Sequence, residues 1–347
     1  MQHQMNAIRL ASTGTSGKSV ASLHHEALPT PNDHQVLLKI HAASLNYRDA
    51  ALLRGEYPAS TKKNVIPLSD GAGEVISIGK AVTRVKPGDR VAVSCATNWI
   101  AGPSLEEYRR NSVGFTIDGM LVEYAVFYED ALVHIPSYLS YVEAAALPCA
   151  AVTAWAGLNK IRPLLPGHTV LVQGTGGVSL FALQFAKIVG ARVLAITSSD
   201  SKAAKLKELG ADAVVNYSAC PDWEREILAL TDGKGVDCVL DIAGEKTIVK
   251  SAAATRIGGV VVIVGFASGF GGGLPPIDIL SRNLTVTGSA VGSRLEFEDM
   301  LAAMARRETK PVIDRVYPFA EYQEAYKRLE SGQHVGKVVV QVAEAAV

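Results

Sequence analysis

A glycine-rich turn separates an apolar run from a helical pattern in the segment Val170–Val178, VLVQGTGGV. Gly174 allows a tight turn, and Gly176 lets the backbone approach a pyrophosphate closely. The N-terminus of the following helix offers free N–H groups and a partial positive charge. Ser179 replaces the third glycine of the usual G-x-G-x-x-G pattern and is still small enough for close packing of helix against strand. The turn therefore predicts dinucleotide binding by these residues: Gly174, Thr175, Gly176, Gly177 and Val178.

The end of the next apolar run indicates which dinucleotide binds. Sites that prefer NAD place Asp or Glu there to accept hydrogen bonds from the ribose diol, whereas this chain has the uncharged Thr197. Asp200 follows closely, and we interpret it as the N-cap of a helix that begins at Ser201. Hydrogen-bond donors and a positive charge for a 2′-phosphate stand on the neighbouring residues Ser198, Ser199 and Lys202. The pattern favours NADPH over NADH and leaves the strictness of that preference open.

The elements around this turn alternate regularly between strand and helix. Continuous apolar runs separated by helical patterns of about ten residues predict a parallel sheet covered on both faces. Six runs of this kind fit a doubly wound, Rossmann-type sheet. They are His168–Val172, Arg192–Ile196, Ala213–Val215, Val236–Ile242, Gly259–Val264 and Leu284–Thr287.

The chain on either side of this region has a different pattern. Up to about residue 135 it consists of short β-prone runs broken by Gly and Pro. The tail has helical patterns at Asp299–Arg307 and Ala320–Ser331 and a strand pattern at Gly336–Val342, which could return to the first part. We therefore predict a β-rich domain of residues 1–135 plus 297–347, with a Rossmann domain of residues 136–296 inserted into it.

The composition excludes several classes of protein. Lys plus Arg and Asp plus Glu both number 34 among the 347 residues, and a neutral chain argues against binding to nucleic acid or to an anionic membrane. The N-terminal residues do not resemble a secretory signal. The four cysteines are Cys95, Cys149, Cys220 and Cys238, without a CxxC pair, and we interpret each as a buried apolar side chain. These features predict a cytoplasmic protein.

Several motifs resemble the medium-chain dehydrogenase/reductase superfamily, specifically its zinc-independent, quinone-oxidoreductase-like branch. The resemblance covers nearly the whole chain and implies a GroES-like catalytic domain, an inserted Rossmann domain and a homodimer joined through Rossmann sheet edges, although a tetramer stays open. Besides the glycine-rich turn, the matching stretches are Ser44–Asp49 (SLNYRD), Gly55–Pro58 (GEYP), Pro67–Val75 (PLSDGAGEV), Val85–Val91 (VKPGDRV), Leu147–Ala150 (LPCA), Thr153–Trp155 (TAW) and His334–Val338 (HVGKV).

Zinc binding can be judged by position within this resemblance. Zinc-bearing relatives have Cys where Asn46 stands, and Gly-His-Glu where this chain has Leu68-Ser69-Asp70. They also carry four clustered cysteines in a lobe that here contains only Cys95. Since zinc sites need three or four N, S or O ligands at tetrahedral reach, we expect no bound metal.

The resemblance also implies which residues act. In zinc-free relatives an Asn and a Tyr lie at the nicotinamide edge and correspond to Asn46 and Tyr57, with Tyr47 as a second candidate. A phenol there can donate a hydrogen bond and, if its pKa is lowered, a proton. Further cofactor contacts are expected at Thr153, Tyr217, Gly265, Phe266, Val291 and Lys337. Packing in a core or a turn is the alternative interpretation of each residue.

Together these observations predict an NADPH-dependent oxidoreductase that acts on small carbonyl, enone or quinone substrates without zinc. Hydride would pass from C4 of NADPH to a quinone or to the β-carbon of an activated alkene. Two alternatives stay open: a zinc-independent alcohol dehydrogenase or aldehyde reductase, and an NADPH-binding scaffold or regulator with little turnover. The physiological substrate cannot be named from the sequence.

Overall fold

The computed structural model describes residues 4–12, 18–59 and 61–343. The chain forms two compact units: Met1–Val152 with Ser293–Val347 is the first, and Thr153–Gly292 is the second. The second unit is thus an insertion in the first. The domain boundaries predicted at residues 136 and 296 stay a prediction, because compactness alone does not define a folding domain.

The described residues form fifteen strands. Their bounds are β1 Gln4–Ser12, β2 Ser19–Ala27, β3 Gln35–Ser44, β4 Asp70–Ile78, β5 Arg90–Val93, β6 Tyr124–Tyr128, β7 Leu132–His134, β8 Thr169–Gln173, β9 Arg192–Thr197, β10 Ala213–Asn216, β11 Val236–Asp241, β12 Thr255–Ile263, β13 Thr285–Gly288, β14 Ile313–Pro318 and β15 Lys337–Gln341.

The same part of the chain contains eleven α-helices. They are α1 Tyr47–Arg54, α2 Glu106–Arg109, α3 Tyr141–Ala145, α4 Ala150–Asn159, α5 Gly177–Val189, α6 Asp200–Glu208, α7 Trp223–Ala229, α8 Ile248–Ala254, α9 Pro276–Arg282, α10 Arg294–Ala305 and α11 Tyr322–Glu330. None of the helices in these ranges is long and apolar enough to span a membrane.

The first unit is built on a bent, mainly antiparallel sheet. Its strand order is β14-β15-β3-β4-β5-β7, β6 also pairs with β3, and β1 and β2 form a separate hairpin. The C-terminal strand β15 lies antiparallel to β3, so the tail does return to the first part of the chain. The core of the unit combines side chains from both ends of the chain, including Ile8, Leu38, Ile40 and Val340.

The second unit is a six-stranded parallel sheet with the order β10-β9-β8-β11-β12-β13. This order is that of a doubly wound Rossmann sheet and confirms the predicted fold class. Its central strands are apolar on both faces: the consecutive residues Val170, Leu171 and Val172 of β8 are all fully buried. Such strands need helices on both sides of the sheet, which the intervening helices supply.

Helix boundaries follow local capping. Gly190 ends α5 in the left-handed region at φ 89°, as the sequence predicts. Helix α10 begins at Arg294 because Ser293 and Glu296 form a capping box, so its predicted start at Asp299 is wrong by more than a turn. The hairpin of β1 and β2 and helix α9 were not predicted.

Candidate active site

The glycine-rich turn connects β8 to α5 and leaves open space in front of its backbone. Gly174 has a φ of 73°, and a Cβ on Gly174 would have only Ile242 Cδ1, at 3.9 Å, as a near neighbour. A Cβ on Gly176, the N-cap of α5, would meet no other atom within 4 Å. The buried Ser179 hydroxyl donates to the carbonyl oxygen of Gln173 and so joins helix to strand. The turn fits a pyrophosphate that approaches the helix N-terminus.

A buried polar network fixes the strand ends beside this turn, where the strand order reverses. The Asp241 carboxylate at the end of β11 accepts hydrogen bonds from the Gly244 N–H at 2.8 Å and from the Ser251 hydroxyl at 2.6 Å. The Gln173 amide donates to the Ser251 hydroxyl at 2.8 Å and accepts from the Ile242 N–H at 3.3 Å. Nucleotides bind at such switch points. The network holds the ends of β8 and β11 in place at the candidate cofactor site, and it was not predicted from the sequence.

The ends of β9 and β10 bring together the residues predicted to select the cofactor. Thr197 pairs with Asn216 in the sheet, and the next residue, Tyr217, donates its N–H to the Thr197 carbonyl oxygen at 2.9 Å. The Ser218 hydroxyl donates to the Ser198 carbonyl oxygen at 2.9 Å. These bonds place Ser198 and Tyr217 on adjoining loops.

The first turn of α6 corrects one prediction. Ser199 is the N-cap of this helix and accepts the Lys202 N–H, whereas Asp200 is its first helical residue. Asp200 does not cap because its carboxylate accepts a hydrogen bond from the Asn216 amide at 2.8 Å. Ser199 and Lys202 therefore lie within one helical turn of each other.

The other predicted cofactor residues of the second unit lie at its start and after two of its strands. Thr153 begins the unit, Gly265 and Phe266 follow β12, and Val291 follows β13. A Cβ on Gly265 would lie 2.5 Å from the Ile242 carbonyl oxygen, so this close approach of strand ends requires glycine. Phe266 stacks on Phe270 with ring centroids 4.4 Å apart. The buried Thr153 hydroxyl donates to the Ala290 carbonyl oxygen at 3.3 Å, next to Val291.

In the first unit, Asn46 is held by contacts on both sides of its amide. It is the N-cap of α1, and its N–H donates to the Asp49 carboxylate at 2.7 Å. Its side-chain oxygen accepts from Lys337 Nζ at 2.6 Å, and its Nδ2 donates to the Ser69 hydroxyl at 3.3 Å. Because an ammonium can only donate, it determines which end of the amide is oxygen. One Nδ2 hydrogen then remains for another acceptor.

Lys337 is buried in the first unit, with an exposed fraction of 3%. Its ammonium donates to the Leu45 carbonyl oxygen at 2.7 Å, to Asn46, and to the fully buried Asp70 carboxylate at 3.3 Å. Asp70 also accepts from the Ser69 hydroxyl at 2.8 Å. The three ammonium hydrogens thus point to oxygens of this unit, and contact of Lys337 with the cofactor stays a prediction.

The two candidate tyrosines differ in their surroundings. Tyr57 packs edge-to-face on Phe115 with centroids 5.2 Å apart. Burial raises the pKa of Tyr57, with a smaller opposing effect of the Arg48 charge. A lowered pKa was the condition for its role as a ready proton donor, so this phenol is a hydrogen-bond donor that keeps its proton. Tyr47 is 42% exposed and lies under the Arg54 guanidinium.

Three further residues near Asn46 and Tyr57 were missed from the sequence: Arg48, Cys95 and Cys149. The Arg48 guanidinium donates to the Ser112 hydroxyl at 3.1 Å and to the Val113 carbonyl oxygen at 2.8 Å. The neighbouring Cys149 thiol and the Arg48 charge lower the pKa of Cys95, against an opposing effect of burial. Cys149 lies in the Leu147–Ala150 motif, which could have drawn attention to it.

The residues at this place do not fit a tetrahedral zinc site. The amide of Asn46 and the hydroxyl of Ser69 are poor zinc ligands, and the Lys337 ammonium already provides a positive charge beside Asp70. Across residues 4–12, 18–59 and 61–343, no group of three or more His, Cys, Asp or Glu side chains could hold a metal ion.

Comparison with known proteins finds similarity to dehydrogenases. Residues 32–137 match the alcohol dehydrogenase GroES-like domain, and residues 177–306 match the zinc-binding dehydrogenase family. A zinc-type alcohol dehydrogenase-like protein of Schizosaccharomyces pombe is 42% identical over 317 residues, which cover 90% of this chain and 92% of that protein.

Solved structures extend the likeness to both cofactor types. An NAD-dependent alcohol dehydrogenase is 32% identical, with a TM-score of 0.87 over 98% of this chain and all of its own. The 2-octenoyl-CoA carboxylase reductase CinF, in complex with NADP and 2-octenoyl-CoA, is 25% identical, with a TM-score of 0.87 over 99% of this chain and 89% of its own. The chain therefore belongs to the medium-chain dehydrogenase/reductase superfamily and is an alcohol dehydrogenase-like, NAD(P)H-dependent oxidoreductase.

Proposed function

We propose that the protein is an NADPH-dependent reductase that works without zinc and transfers hydride to a quinone or to the C=C bond of an α,β-unsaturated carbonyl compound. The contact between Lys337 and Asn46 carries this proposal, since it lies among the residues that correspond to zinc ligands in relatives. A lysine ammonium and a metal cation are alternatives for balancing the buried Asp70 carboxylate.

In place of a zinc ion, hydrogen-bond donors polarise the carbonyl group of the substrate. The bound nicotinamide supplies a hydride from its C4. The remaining Nδ2 hydrogen of Asn46 and the hydroxyl of Tyr57 donate to the substrate's carbonyl oxygen, where negative charge develops. The raised pKa of Tyr57 keeps the phenol protonated for this purpose. The Lys337 contact keeps the Asn46 amide in the orientation that donates.

The preference for NADPH rests on the loops after β9 and β10. Ser198, Ser199, Lys202 and Tyr217 offer hydroxyl groups and one positive charge to a 2′-phosphate. The neighbouring Asp200 carboxylate accepts a hydrogen bond from the Asn216 amide at 2.8 Å, which occupies one of its two oxygens. An NAD site would need a carboxylate on the ribose diol.

The second candidate function is reduction of a carbonyl carbon, as in an alcohol dehydrogenase. The likeness to an NAD-dependent alcohol dehydrogenase favours it, whereas the likeness to CinF, solved with NADP and 2-octenoyl-CoA, favours C=C reduction. The third candidate, a scaffold that binds NADPH with little turnover, has the same cofactor site and differs only in catalysis.

The exposed edge of the Rossmann sheet supports a homodimer. Strand β13 is the last strand of the sheet, and the nearby helix α9 exposes Ile277 by 63% and Leu280 by 76%. We propose that a second copy of the chain covers this apolar edge, because exposed apolar side chains grouped at a sheet edge are typical of an interface.

The test uses a single substrate that contains both a C=C bond and a C=O bond that can be reduced. An α,β-unsaturated aldehyde is incubated with NADPH that carries deuterium at the transferred C4 position. Deuterium on the β-carbon of a saturated aldehyde supports the proposal. Deuterium on the carbonyl carbon of an allylic alcohol establishes the alcohol dehydrogenase alternative instead.

Two parallel measurements complete the test. Zinc content is determined on the same protein, and activity that disappears on zinc removal and returns with zinc contradicts zinc independence. Calorimetry measures NADPH binding; tight binding without turnover of the aldehyde, a quinone or a saturated aldehyde identifies a scaffold.

A further inference from the structure

Arg48 stands two residues after Asn46 in the first turn of α1, and its side chain is half-buried. Its guanidinium donates to the Ser112 hydroxyl at 3.1 Å and to the Val113 carbonyl oxygen at 2.8 Å, and both of these acceptors are neutral. A guanidinium has five N–H donors and stays charged at any ordinary pH. Among the groups that the structure describes, the other three N–H donors of Arg48 have no acceptor.

The charge of Arg48 has no direct ion pair within the described part of the chain. Asp49 is its neighbour in α1, but consecutive residues of a helix do not face each other. The Asp49 carboxylate accepts the Asn46 N–H at 2.7 Å instead, and burial raises the pKa of Asp49 to about 6 against an opposing effect of Arg48. A cation partly withdrawn from water costs free energy until an anion compensates it. The guanidinium is therefore suited to an anion that comes from outside the chain.

A tight turn of residues 112–116 holds the guanidinium beside the candidate active site. The Ser112 carbonyl oxygen accepts the Phe115 N–H at 3.2 Å, which closes the turn. Gly114 lies in the left-handed region at φ 68°, and a Cβ there would lie 2.6 Å from the backbone of Leu68. The turn thus packs directly on the residue before Ser69, whose hydroxyl accepts the hydrogen bond of the candidate catalytic amide.

Phe115 brings Arg48 and Tyr57 onto the same aromatic ring. The Arg48 Cζ lies 5.6 Å from the centroid of Phe115, where a cation is attracted by the ring face. Tyr57 packs edge-on against the same ring with centroids 5.2 Å apart. A substrate whose carbonyl oxygen reaches the Tyr57 hydroxyl therefore comes close to a positive charge that the protein holds in place.

We propose that Arg48 binds a carboxylate group of the substrate, so that the preferred substrates are α,β-unsaturated carbonyl compounds that also carry a carboxylate. The planar guanidinium presents paired N–H donors that match the two oxygens of a carboxylate. The anionic oxygens could also belong to a phosphate of the cofactor, but the shared contact with Phe115 places Arg48 with Tyr57, the residue assigned to the substrate. Reduction of this substrate class rests on the proposed function, whereas binding of the carboxylate does not.

The experiment compares 4-oxo-2-pentenoate with its methyl ester as substrates for NADPH oxidation. The two molecules share the ketone, the C=C bond and the carbon chain, and the more electron-poor C=C bond of the ester is the more reactive toward hydride. We expect the unchanged protein to prefer the acid in kcat/KM. The ratio of acid to ester should fall by about 10- to 100-fold in Arg48→Gln, since hydrogen bonds to the charged group are lost.

Two further variants serve as references for this ratio. Arg48→Lys keeps the charge without the planar fork and should retain part of the preference for the acid. Arg54→Gln makes the same charge change at the other end of α1, where the guanidinium is already paired with Glu56 at 2.6 Å, and should leave the ratio unchanged. Because acid and ester are compared in the same sample, a smaller folded fraction in any variant does not alter the ratio.

Calorimetry separates the substrate from the cofactor as the source of the anion. In Arg48→Gln, the saturated product 4-oxopentanoate should bind about 10- to 100-fold more weakly to the complex with oxidised cofactor, and NADPH should bind as before. An equal loss of kcat/KM for acid and ester would overturn the proposal, and weaker NADPH binding with an unchanged ratio would assign Arg48 to a phosphate of the cofactor. Reduction of both C=C bonds without preference for the acid removes only the role of Arg48. Arg48-dependent binding of 4-oxopentanoate without C=C reduction removes only the proposed function.

Discussion

The Lys337 ammonium lies 2.6 Å from the side-chain oxygen of Asn46, and the two residues come from opposite ends of the chain. The same ammonium also donates to the buried Asp70 carboxylate at 3.3 Å, so it both fixes the Asn46 amide and compensates the Asp70 charge. Lys337 should therefore affect both stability and turnover.

Replacement of Lys337 by Met separates these two effects. The change leaves the Asp70 charge buried and unpaired, which costs about 3–5 kcal/mol of unfolding free energy. The double variant Lys337→Met with Asp70→Asn should regain most of that stability in urea unfolding, but its kcat should stay low because the Asn46 amide can rotate. Recovery of kcat together with stability would show that Lys337 has no role in orienting Asn46.

Replacement of Tyr57 by Phe removes a hydrogen-bond donor and preserves the packing on Phe115. We expect kcat to fall by about 10²-fold, as for loss of one donor to a developing oxyanion, with NADPH binding unchanged by calorimetry. Tyr128→Phe, at a position 55% exposed, is the matched control. A decrease in kcat with Tyr47→Phe and none with Tyr57→Phe would transfer the role to Tyr47.

The Rossmann sheet could be predicted because its strands are continuous apolar runs that end near glycines. Leu171 and Val239 are buried on a sheet covered on both faces, so the local pattern reports the tertiary environment directly. Strand β2, SVASLHHEA, has no comparable pattern: all of its side chains are exposed or half-buried. Its pairing with β1 depends on partner residues and not on its own composition.

The residues of the candidate site differ in the same way. Some belong to one short sequence motif, whereas others are brought together by contacts between distant segments. The glycine-rich turn is contained in one short segment and could be located from sequence. The contacts of Lys337 with Asn46 and of Arg48 with Val113 join distant segments, so no local pattern encodes them. The N-cap of α6 was misplaced by one residue because the hydrogen bond from Asn216 to Asp200 comes from a neighbouring strand.

Replacement of Lys202 by Glu should change cofactor preference. Loss of a charge-assisted contact with the 2′-phosphate costs about 1.5–3 kcal/mol, which corresponds to a rise of about 10- to 150-fold in KM for NADPH. KM for NADH should change little, because that cofactor lacks the phosphate. Lys207→Glu makes the same charge change in the last turn of α6 and serves as the control. Equal effects of the two variants on both cofactors would refute the assignment of Lys202.

Replacement of Leu280 by Glu tests the proposed dimer edge. A charged side chain in the centre of an apolar interface loses its hydration without gaining a partner, so we expect monomers in sedimentation analysis at micromolar concentration. Leu23→Glu, at a position 51% exposed on β2 of the other unit, should leave the dimer intact. A dimer that persists with Leu280→Glu would exclude this edge as the interface.

Acid sensitivity should arise partly from His41. Its ring stacks on Tyr141 with centroids 4.1 Å apart, and neither ring nitrogen has a hydrogen-bond partner. Burial lowers the pKa of His41, and the Lys39 charge adds to this effect, while Glu74 opposes it. Between the unfolded-state pKa of about 6.5 and the lower folded-state pKa, the unfolded chain therefore binds a proton that the folded chain does not.

The sign of the pH dependence follows from this difference. Above a pH of about 6.5, His41 is neutral in both states and the protein keeps its full free energy of unfolding. As the pH falls from there toward the lower folded-state pKa, proton binding by the unfolded chain reduces that free energy. Urea unfolding between pH 5 and pH 8 should show that the His41→Gln variant loses less stability on acidification than the unchanged protein. His134→Gln, at an exposed histidine paired with Asp89, is the control and should not flatten the profile in this way. An unaltered profile in His41→Gln would mean that His41 is protonated equally in the folded and unfolded states.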